Sequence, residues 1–395
     1  MSDTHSIVVA GGGIGGLAAA AALAGHGMNV TVVERAAAIA RAGAGLMLYP
    51  NGVRALDAIG TGLGDRVRAA GNVLAPDAVR VLMDADGDVL AREPLGRGGG
   101  PDHDAPHIPI LRAALHETLL KEAVQRGATV QLATAVVGYD NPPGAVHVRL
   151  SDGTTFAADA LVAADGLRSR IRHHLLGDGA PRYRGYTSVR GHAPDTHLGP
   201  HSHVVNGRGV QLFIAPVGGG RLYWTAKITA AAGEWPAKGP DGALADLGRL
   251  LRHRYAPVAR TVAEADPDDV VVTDIHDRDP APRWTDGRVT LLGDAAHPMV
   301  PALGQGANTA LEDAVVLADA LAGAEDVPGA LLAYERDRLP RTSAVVLLSR
   351  GQGELDQGAD ARQEHLRNTR MRTSGRKDEG LGDVLGWRPP NRAAA

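Results

Sequence analysis

Ser6-Ile7-Val8-Val9-Ala10-Gly11-Gly12-Gly13-Ile14-Gly15-Gly16, then an alanine-rich run to Gly25, then Asn29-Val30-Thr31-Val32-Val33-Glu34, is the stretch whose reading decides the fold. The apolar run predicts a buried strand, the glycines a tight turn, the alanines a helix, and the β-branched run a second strand ending in an acid. Each part has a physical task. Gly11 allows the turn, Gly13 lets the backbone approach a pyrophosphate, Gly16 lets the helix pack close, and Glu34 is placed for a ribose 2'-hydroxyl. With Ile14, Gly15 and Arg35 these positions form one end of a dinucleotide seat. The pattern leaves NAD and FAD both open, while the acid at Glu34 argues against a 2'-phosphate in this turn.

Two later apolar strands end in comparable turns. Ala160-Leu161-Val162-Ala163-Ala164 runs into Asp165-Gly166, and Val289-Thr290-Leu291-Leu292 runs into Gly293-Asp294-Ala295-Ala296-His297-Pro298. In a parallel sheet the carboxyl ends of the strands share one rim, so a single long ligand can touch all three turns. Past Pro298 and Pro301 a helix is expected from about Gln305 to Leu321. Its first N–H groups, over Gly304, Gln305, Gly306, Ala307 and Asn308, carry the positive end of the helix dipole and suit an electron-rich ligand. The Asp294 carboxylate is suited to accept hydrogen bonds from hydroxyl groups.

Working outward, Gly43 and Gly45 open a short extended piece that reads equally as an ordinary loop or as a wall against a flat ring. Arg112 opens a helix to Gln125 and either caps a surface or reaches a phosphate. Asp84-Ala85-Asp86-Gly87-Asp88 resembles a calcium loop but has its glycine too early and Leu95 where a glutamate is needed, so a hairpin turn on Asp86-Gly87 is predicted. His103, Asp104 and His107 have no regular ligand spacing, and no metal site is predicted.

From about Pro181 to Asp269 the texture changes to alternating strands with turn signals such as Gly218-Gly219-Gly220, which predicts an antiparallel second lobe. The expected organisation is a first part of the α/β lobe over 1–73, a hairpin of the second lobe over 74–97, a second α/β part over 98–180, the second lobe over 181–269, a third α/β part over 270–343, and a helical tail over 344–395. Val270 to Ile275 is expected to lead back to the first lobe. Gln352 to Glu379 reads as a surface helix or partly mobile tail, with dimerisation through it left open.

Composition removes several classes of function. The 395 residues carry 41 Lys and Arg against 45 Asp and Glu, a net charge of -4, with no basic stripe interleaved with aromatics, so nucleic acid is not an expected partner. With no cysteine, disulfides, thiolate metal sites and a catalytic thiol are excluded. The N-terminus has no basic segment, and the run Leu17 to Ala24 is too short to span a bilayer, so cytoplasmic residence without a membrane anchor is expected.

Taken together, Gly11 to Gly16 with Glu34, the Asp165-Gly166 turn, and Gly293 to Pro298 with Gly304 to Asn308 resemble the single-component FAD-dependent aromatic hydroxylases, in particular their salicylate hydroxylase-like and urate hydroxylase-like members. The resemblance implies a Rossmann-type FAD-binding lobe with a mostly parallel sheet and an antiparallel-sheet substrate lobe of the p-hydroxybenzoate hydroxylase kind. It implies that Gly11, Gly13, Gly16, Glu34 and Arg112 hold the FAD pyrophosphate and adenosine ribose, that Asp294 meets the ribityl chain, and that the Gly304 to Asn308 backbone meets the flavin edge. Asp165 would serve both FAD and a transient NADH or NADPH, with Pro301 and Gly45 beside the cofactor. The implied reaction takes NAD(P)H and O2 and hydroxylates an aromatic or heteroaromatic small molecule through a flavin C4a-hydroperoxide. Epoxidation, and a flavin dehydrogenase of the same fold, are the alternatives.

For the substrate, the strands Gly209 to Val217 and Arg221 to Thr225 are expected to form the pocket floor, with Gln211, Phe213 and Tyr223 as residues that either face the flavin or simply pack the sheet. Urate hydroxylases place an arginine and a tyrosine here; Tyr223 matches, and Gln211 stands near the arginine position. A neutral amide favours a neutral ring unless Arg190 or Arg208 supplies the charge. His297, with Pro298 beside it, reads either as a base or as a structural histidine. A monomer or a homodimer is expected.

Overall fold

The computed structural model describes residues 4–38, 44–96, 104–195, 198–252, 256–375 and 381–390. The first lobe is built on a six-stranded sheet in the order Thr285–Asp286, Val289–Leu291, Ala160–Ala163, Ser6–Ala10, Asn29–Val33, Thr129–Gln131. All neighbours are parallel except the Thr285–Asp286 edge. Register decides what this sheet can do. Ala10 pairs with both Ala163 and Val33, and Ala163 pairs with Leu291, so four strands finish level and the turns that follow them lie along one rim.

The helix Ile14–Gly25 is buried on nearly every side, because alanine and glycine let it approach both the sheet and the helix Gly306–Leu321. At Gly15 an added Cβ would lie 2.9 Å from Leu292 and 3.2 Å from Ala310. Small residues set this spacing.

The second lobe is a seven-stranded sheet, ordered Val271–Asp277, Arg182–Pro194, Arg221–Thr229, Val210–Gly218, Ser202–Gly207, Val79–Asp84, Val89–Pro94. It is antiparallel apart from the parallel pair Ser202–Gly207 with Val79–Asp84. Alternation divides it into two faces. Leu212, Ile214, Leu222, Trp224 and Ala226 pack with Ala243, Leu247 and Leu251 of the helix Gly239–Leu251. Gln211, Phe213, Tyr223, Thr225 and Lys227 lie on the other face, together with Arg190, which pairs with Thr225. This face meets the first lobe, since an added Cβ at Gly45 would lie 2.7 Å from Tyr223.

The predicted hairpin on Asp86-Gly87 is present, with Gly87 at φ +95° and the Asp84 carboxylate accepting from Asp86 N and Asp88 N. One expectation is corrected. Val271–Asp277 does not return to the first lobe but extends the second sheet against Arg182–Pro194. Of the two forms expected for the tail, the described residues take the helical one. A single helix spans Val327–Gln357, another spans Ala361–Ser374, and their buried Gln352, Asp356, Arg367 and Met371 sit among polar partners and a small apolar cluster that a hydrophobicity reading undervalues.

No helix among the described residues is long and apolar enough to cross a membrane. Nor, among the described residues, do three or more His, Asp or Glu gather as a metal-ligand group. Of the rejected histidine cluster, His103 lies outside the described residues, as does Gly43 of the extended piece.

Candidate cofactor and substrate site

The glycine turn contains two kinds of glycine. Gly11 sits at φ +103°, and an added Cβ would be 2.4 Å from Ala164 O; at Gly16 it would be 2.0 Å from Gly11 O. These two are required by the turn itself. Gly13 is different: an added Cβ would meet nothing within 4 Å, and Gly13 caps its helix without any side-chain hydrogen bond. The space in front of that helix start is open, and its first N–H groups face it uncapped.

The helices Gly306–Leu321 and Arg112–Gln125 likewise begin without side-chain caps. Arg112, at the start of the second, is exposed, while its backbone N–H donates to Ala44 O. At the end of the Asn29–Val33 strand, Glu34 Oε2 accepts from Gly12 N at 2.7 Å and Oε1 from Ala36 N at 2.8 Å. This fixes the carboxylate against the turn and leaves each oxygen further lone pairs for a hydroxyl. Arg35 beside it is exposed.

The two acids of the other turns are under-used by the protein. Asp165 Oδ2 accepts from Arg170 N at 2.9 Å, but its buried Oδ1 has no partner. Burial pushes this carboxyl above its ordinary range, although hydrogen bonds from Ser169 and Arg170 oppose the shift. Asp294 is exposed on the first turn after its strand, near Gly306.

Behind this rim lies a buried charge network. Asp313 accepts from His297 Nε2 at 2.5 Å, from Arg338 Nε at 2.8 Å and from Gly293 N at 3.1 Å. Burial raises its carboxyl, but His297 and Arg338 outweigh burial and hold it down at about 2. Glu312 is held by Arg338 at 2.6 Å and by both ends of Arg341 at 2.8 Å. Asn51 bridges Glu312 at 2.7 Å and Gln305 at 2.9 Å. Asn308 Oδ1 accepts from Tyr49 N, and its amide donates to Met47 O and Gly304 O. The side chain of Asn308 and the amide oxygen of Gln305 therefore brace the loop, while Gln305 Nε2 is a buried donor without a partner.

His297 departs from the base reading. Its ring is 2 % exposed and committed to Asp313 beside Trp284, so it anchors the loop and Pro298 is buried next to it. Gln211 is corrected too: it is 1 % exposed, and its amide donates to Asn206 Oδ1 at 2.9 Å while Asn206 donates to Met83 O. A buried amide must satisfy itself, and here another strand does it.

Tyr223 and Phe213 do come together, edge to face with ring centroids 6.0 Å apart. Phe213 remains partly exposed although three apolar clusters meet at it, one with Met47 and Leu74, one with Leu82 and Met371, one with Ala44 and Tyr223. Burial raises the Tyr223 phenol above its ordinary range, with Arg190, Thr225 and Arg112 opposing, so it is a neutral O–H at pH 7. Arg190 donates to Thr273 Oγ1 at 2.8 Å. Arg208 is exposed and paired with Glu364, which removes it from the pocket.

The arrangement fits FAD. One rim presents the open side of Gly13, three uncapped helix starts, the exposed Asp294 carboxylate and the orphaned Asp165 oxygen, and the glycine at 45 leaves Tyr223 room against it. Sequence reasoning missed Asn51 and Arg338. Arg338 had a signal: Leu331, Tyr334, Arg338, Thr342 and Val345 form one buried helical stripe, and an arginine on such a stripe needs buried acids.

Comparison with known proteins agrees. Residues 4–349 match the family described as FAD binding domain. The chain is 37% identical over 382 residues to 3-amino-4-hydroxybenzoate 2-monooxygenase of Streptomyces cremeus, covering 93% of this chain and 92% of that protein. It is 36% identical over 364 residues to aurachin C monooxygenase/isomerase of Stigmatella aurantiaca, covering 91% and 92%. The structure of Klebsiella pneumoniae HpxO complexed with FAD and uric acid superposes with a TM-score of 0.85 at 30% identity, over 97% of this chain and 95% of that one. A Rossmann-type lobe with three aligned turns, an antiparallel lobe closing over it, and these relatives identify the chain as a member of the FAD-binding-domain family, an NAD(P)H- and FAD-dependent monooxygenase.

Proposed function

We propose that the protein hydroxylates an electron-rich aromatic or heteroaromatic small molecule held between the rim and the inner face of the seven-stranded sheet. The observation that carries this reading is the pairing of Tyr223, a neutral phenol packed against Gly45, with Phe213, a sheet residue left partly exposed among three apolar clusters. Such a face accepts a flat ring and offers it one polar contact.

In this reading Gly11, Gly13, Ile14, Gly15, Gly16, Glu34, Arg35 and Arg112 hold the pyrophosphate and adenosine ribose, and Asp294 and Asp165 meet hydroxyl groups. Gly293, Pro301 and the backbone from Gly304 to Asn308 edge the ring system, opposite Gly45. FAD, when bound, supplies the relay of electrons from NAD(P)H and the activation of O2. The chain's own work is to bind, orient and exclude water. The uncapped start of the helix Gly306–Leu321 favours negative charge beside it by about 0.3–1 kcal/mol, more where partly buried. The Tyr223 O–H hydrogen-bonds a ring hydroxyl of the substrate and steadies it while that oxygen becomes more acidic. His297, through Asp313, keeps the loop fixed. The reading carries with it residence in the cytoplasm and a monomer or homodimer.

The test is anaerobic reduction of the purified yellow protein by NADH and by NADPH, with and without a panel of phenols and heteroaromatics, followed by admission of labelled O2. Bleaching accelerated by one aromatic and a product carrying one labelled oxygen atom support the reading. Rapid reduction with no oxygenated product from any compound refutes it.

A further inference from the structure

The peptide that joins Gly12 to Gly13 has a glycine on each side, so it can swing about its flanking bonds with little steric resistance. The peptides before and after it are held. Gly12 N donates to Glu34 Oε2 at 2.7 Å, and Gly13 O accepts from Leu17 N at 2.9 Å in the first turn of the helix Ile14–Gly25. Between them, the Gly12 carbonyl accepts from a side chain 104 positions away. His116 Nε2 meets Gly12 O at 2.5 Å, and because a carbonyl only accepts, the imidazole nitrogen is the donor.

The helix Arg112–Gln125 puts His116 there. Its Leu115 and Leu119 are fully buried in the core of the first lobe, which fixes the helix beside the glycine turn. Residues four apart share one helix face, so Arg112 lies on the side from which His116 reaches the turn.

A trans peptide points its C=O and its N–H in opposite directions. With Gly12 O held by His116, the Gly13 N–H is turned away from this helix, and it meets no acceptor among the described residues. A Cβ added at Gly13 would meet nothing within 4 Å, so the surroundings of that residue are open to a ligand. Without the imidazole, the same peptide is free to rotate and to present a carbonyl oxygen, which repels a phosphate, in place of the N–H.

We propose that His116 is a positioning residue for the cofactor: by holding Gly12 O it fixes the Gly13 N–H in the direction that donates to the FAD pyrophosphate, without itself touching the cofactor. This rests on the reading that places the pyrophosphate at Gly13 and adds to it the group that orients the donor.

The test follows the fluorescence of FAD released on dilution of the holoprotein, for the unmodified chain and for His116→Gln, His116→Asn and His116→Phe, with thermal unfolding of each beside it. Gln carries its Nε2 about as far from the backbone as the imidazole Nε2 lies, whereas Asn offers the same amide on a shorter stem. The FAD dissociation constant is expected to rise about tenfold in His116→Asn and His116→Phe, as for the loss of one net hydrogen bond, and to stay within about threefold in His116→Gln. Displacement of FAD from the holoprotein by ADP and by adenosine gives a second readout. ADP keeps the diphosphate, so its hold weakens in step with that of FAD, and the concentration that displaces half of the flavin is unchanged in His116→Asn. Adenosine has no phosphate, and about tenfold less of it suffices in that variant.

Equal dissociation constants in all four proteins overturn the inference. So does a loss in His116→Gln as large as in His116→Asn, or adenosine that displaces FAD no more readily from His116→Asn than from the unmodified protein. If His116→Phe does not fold, the Gln and Asn variants decide. Gly13→Ala judges the underlying reading: unchanged FAD affinity in that variant removes the pyrophosphate from Gly13, whereas weakened affinity there beside unchanged affinity in His116→Asn rejects only the part given to His116.

Discussion

The rim of the first lobe and the inner face of the second are built in opposite ways. The rim is backbone: turns after three strands, uncapped helix starts, and glycines without which Ala164 O and Gly11 O would collide with a Cβ at 2.4 and 2.0 Å. Side chains there either meet the ligand directly, as Asp294 does in the proposed reading, or brace the loop from behind, as Asp313 and Arg338 do. The sheet face is the reverse. Its backbone is a regular ladder, and whatever selectivity it has resides in Arg190, Phe213, Tyr223 and their neighbours. A fixed cofactor is suited to the first construction and an exchangeable substrate to the second, since side chains can be replaced without disturbing a ladder.

The largest expected effect lies behind the rim. Arg338→Met leaves Glu312 and Asp313 buried with one ionic partner fewer, and removing one member of such a cluster costs about 3–5 kcal/mol. Urea unfolding of the holoprotein measures it, and a loss under about 1 kcal/mol would mean that the rim does not depend on that network.

Next is the contrast between two glycines. Gly16→Ala drives a methyl into Gly11 O and is expected to cost about 3 kcal/mol, with flavin lost along with the fold. Gly13→Ala meets no protein atom within 4 Å and should fold with a stability change of about 1 kcal/mol, yet bind FAD more weakly. Flavin absorbance per protein, read beside thermal unfolding, separates the two. Similar stability for both variants would break the distinction.

On the sheet face, Tyr223→Phe keeps the packing against Gly45 and removes the hydroxyl. Flavin binding should be retained while the rate of product formation falls by about 10²-fold, the low end for a positioned proton-handling group. A change of less than about twofold would make the residue a packing element.

The last comparison concerns pH and again sets the lobes against each other. Burial, then repulsion from His201, lowers His203 in the second lobe to about 4, so this ring stays neutral when folded. Its unfolded value is about 6.5, so the unfolded chain binds the extra proton and stability falls as pH drops from about 6.5 to about 4. Asp313 is lowered to about 2, and its share is lost only as pH falls from about 4 toward 2. Thermal unfolding across pH should therefore show the His203 step first, and His203→Gln should remove that step alone.

Much of the cofactor rim was legible in sequence because its determinants are contiguous. A strand, a glycine turn and an acid within 29 residues encode a local geometry that has few alternatives, and the same holds for Gly293 to Asn308. The sheet face was legible only as candidates. Tyr223 and Phe213 were named, but whether a strand residue faces a ring or packs a core depends on which side of the ladder meets the other lobe, and register alone decides that. Of the two readings of His297 the structure favours the structural one, and Gln211 is committed within the sheet; in both cases the partner, Asp313 or Asn206, is supplied by another part of the chain.

What the sequence by itself determined was the Rossmann-type lobe, the turns that end its strands and the presence of a second, antiparallel lobe, because turns, caps and hydrophobic periods act over short distances. What only the tertiary structure decided was the allocation of charge: that Arg338 and Arg341 are spent on Glu312 and Asp313, that Lys227 is matched by Asp356, and that among the described residues Arg190 meets the Thr273 hydroxyl and no acid. Ion pairing is a property of proximity in space, and residues as far apart in the chain as Lys227 and Asp356, 129 positions, supply it.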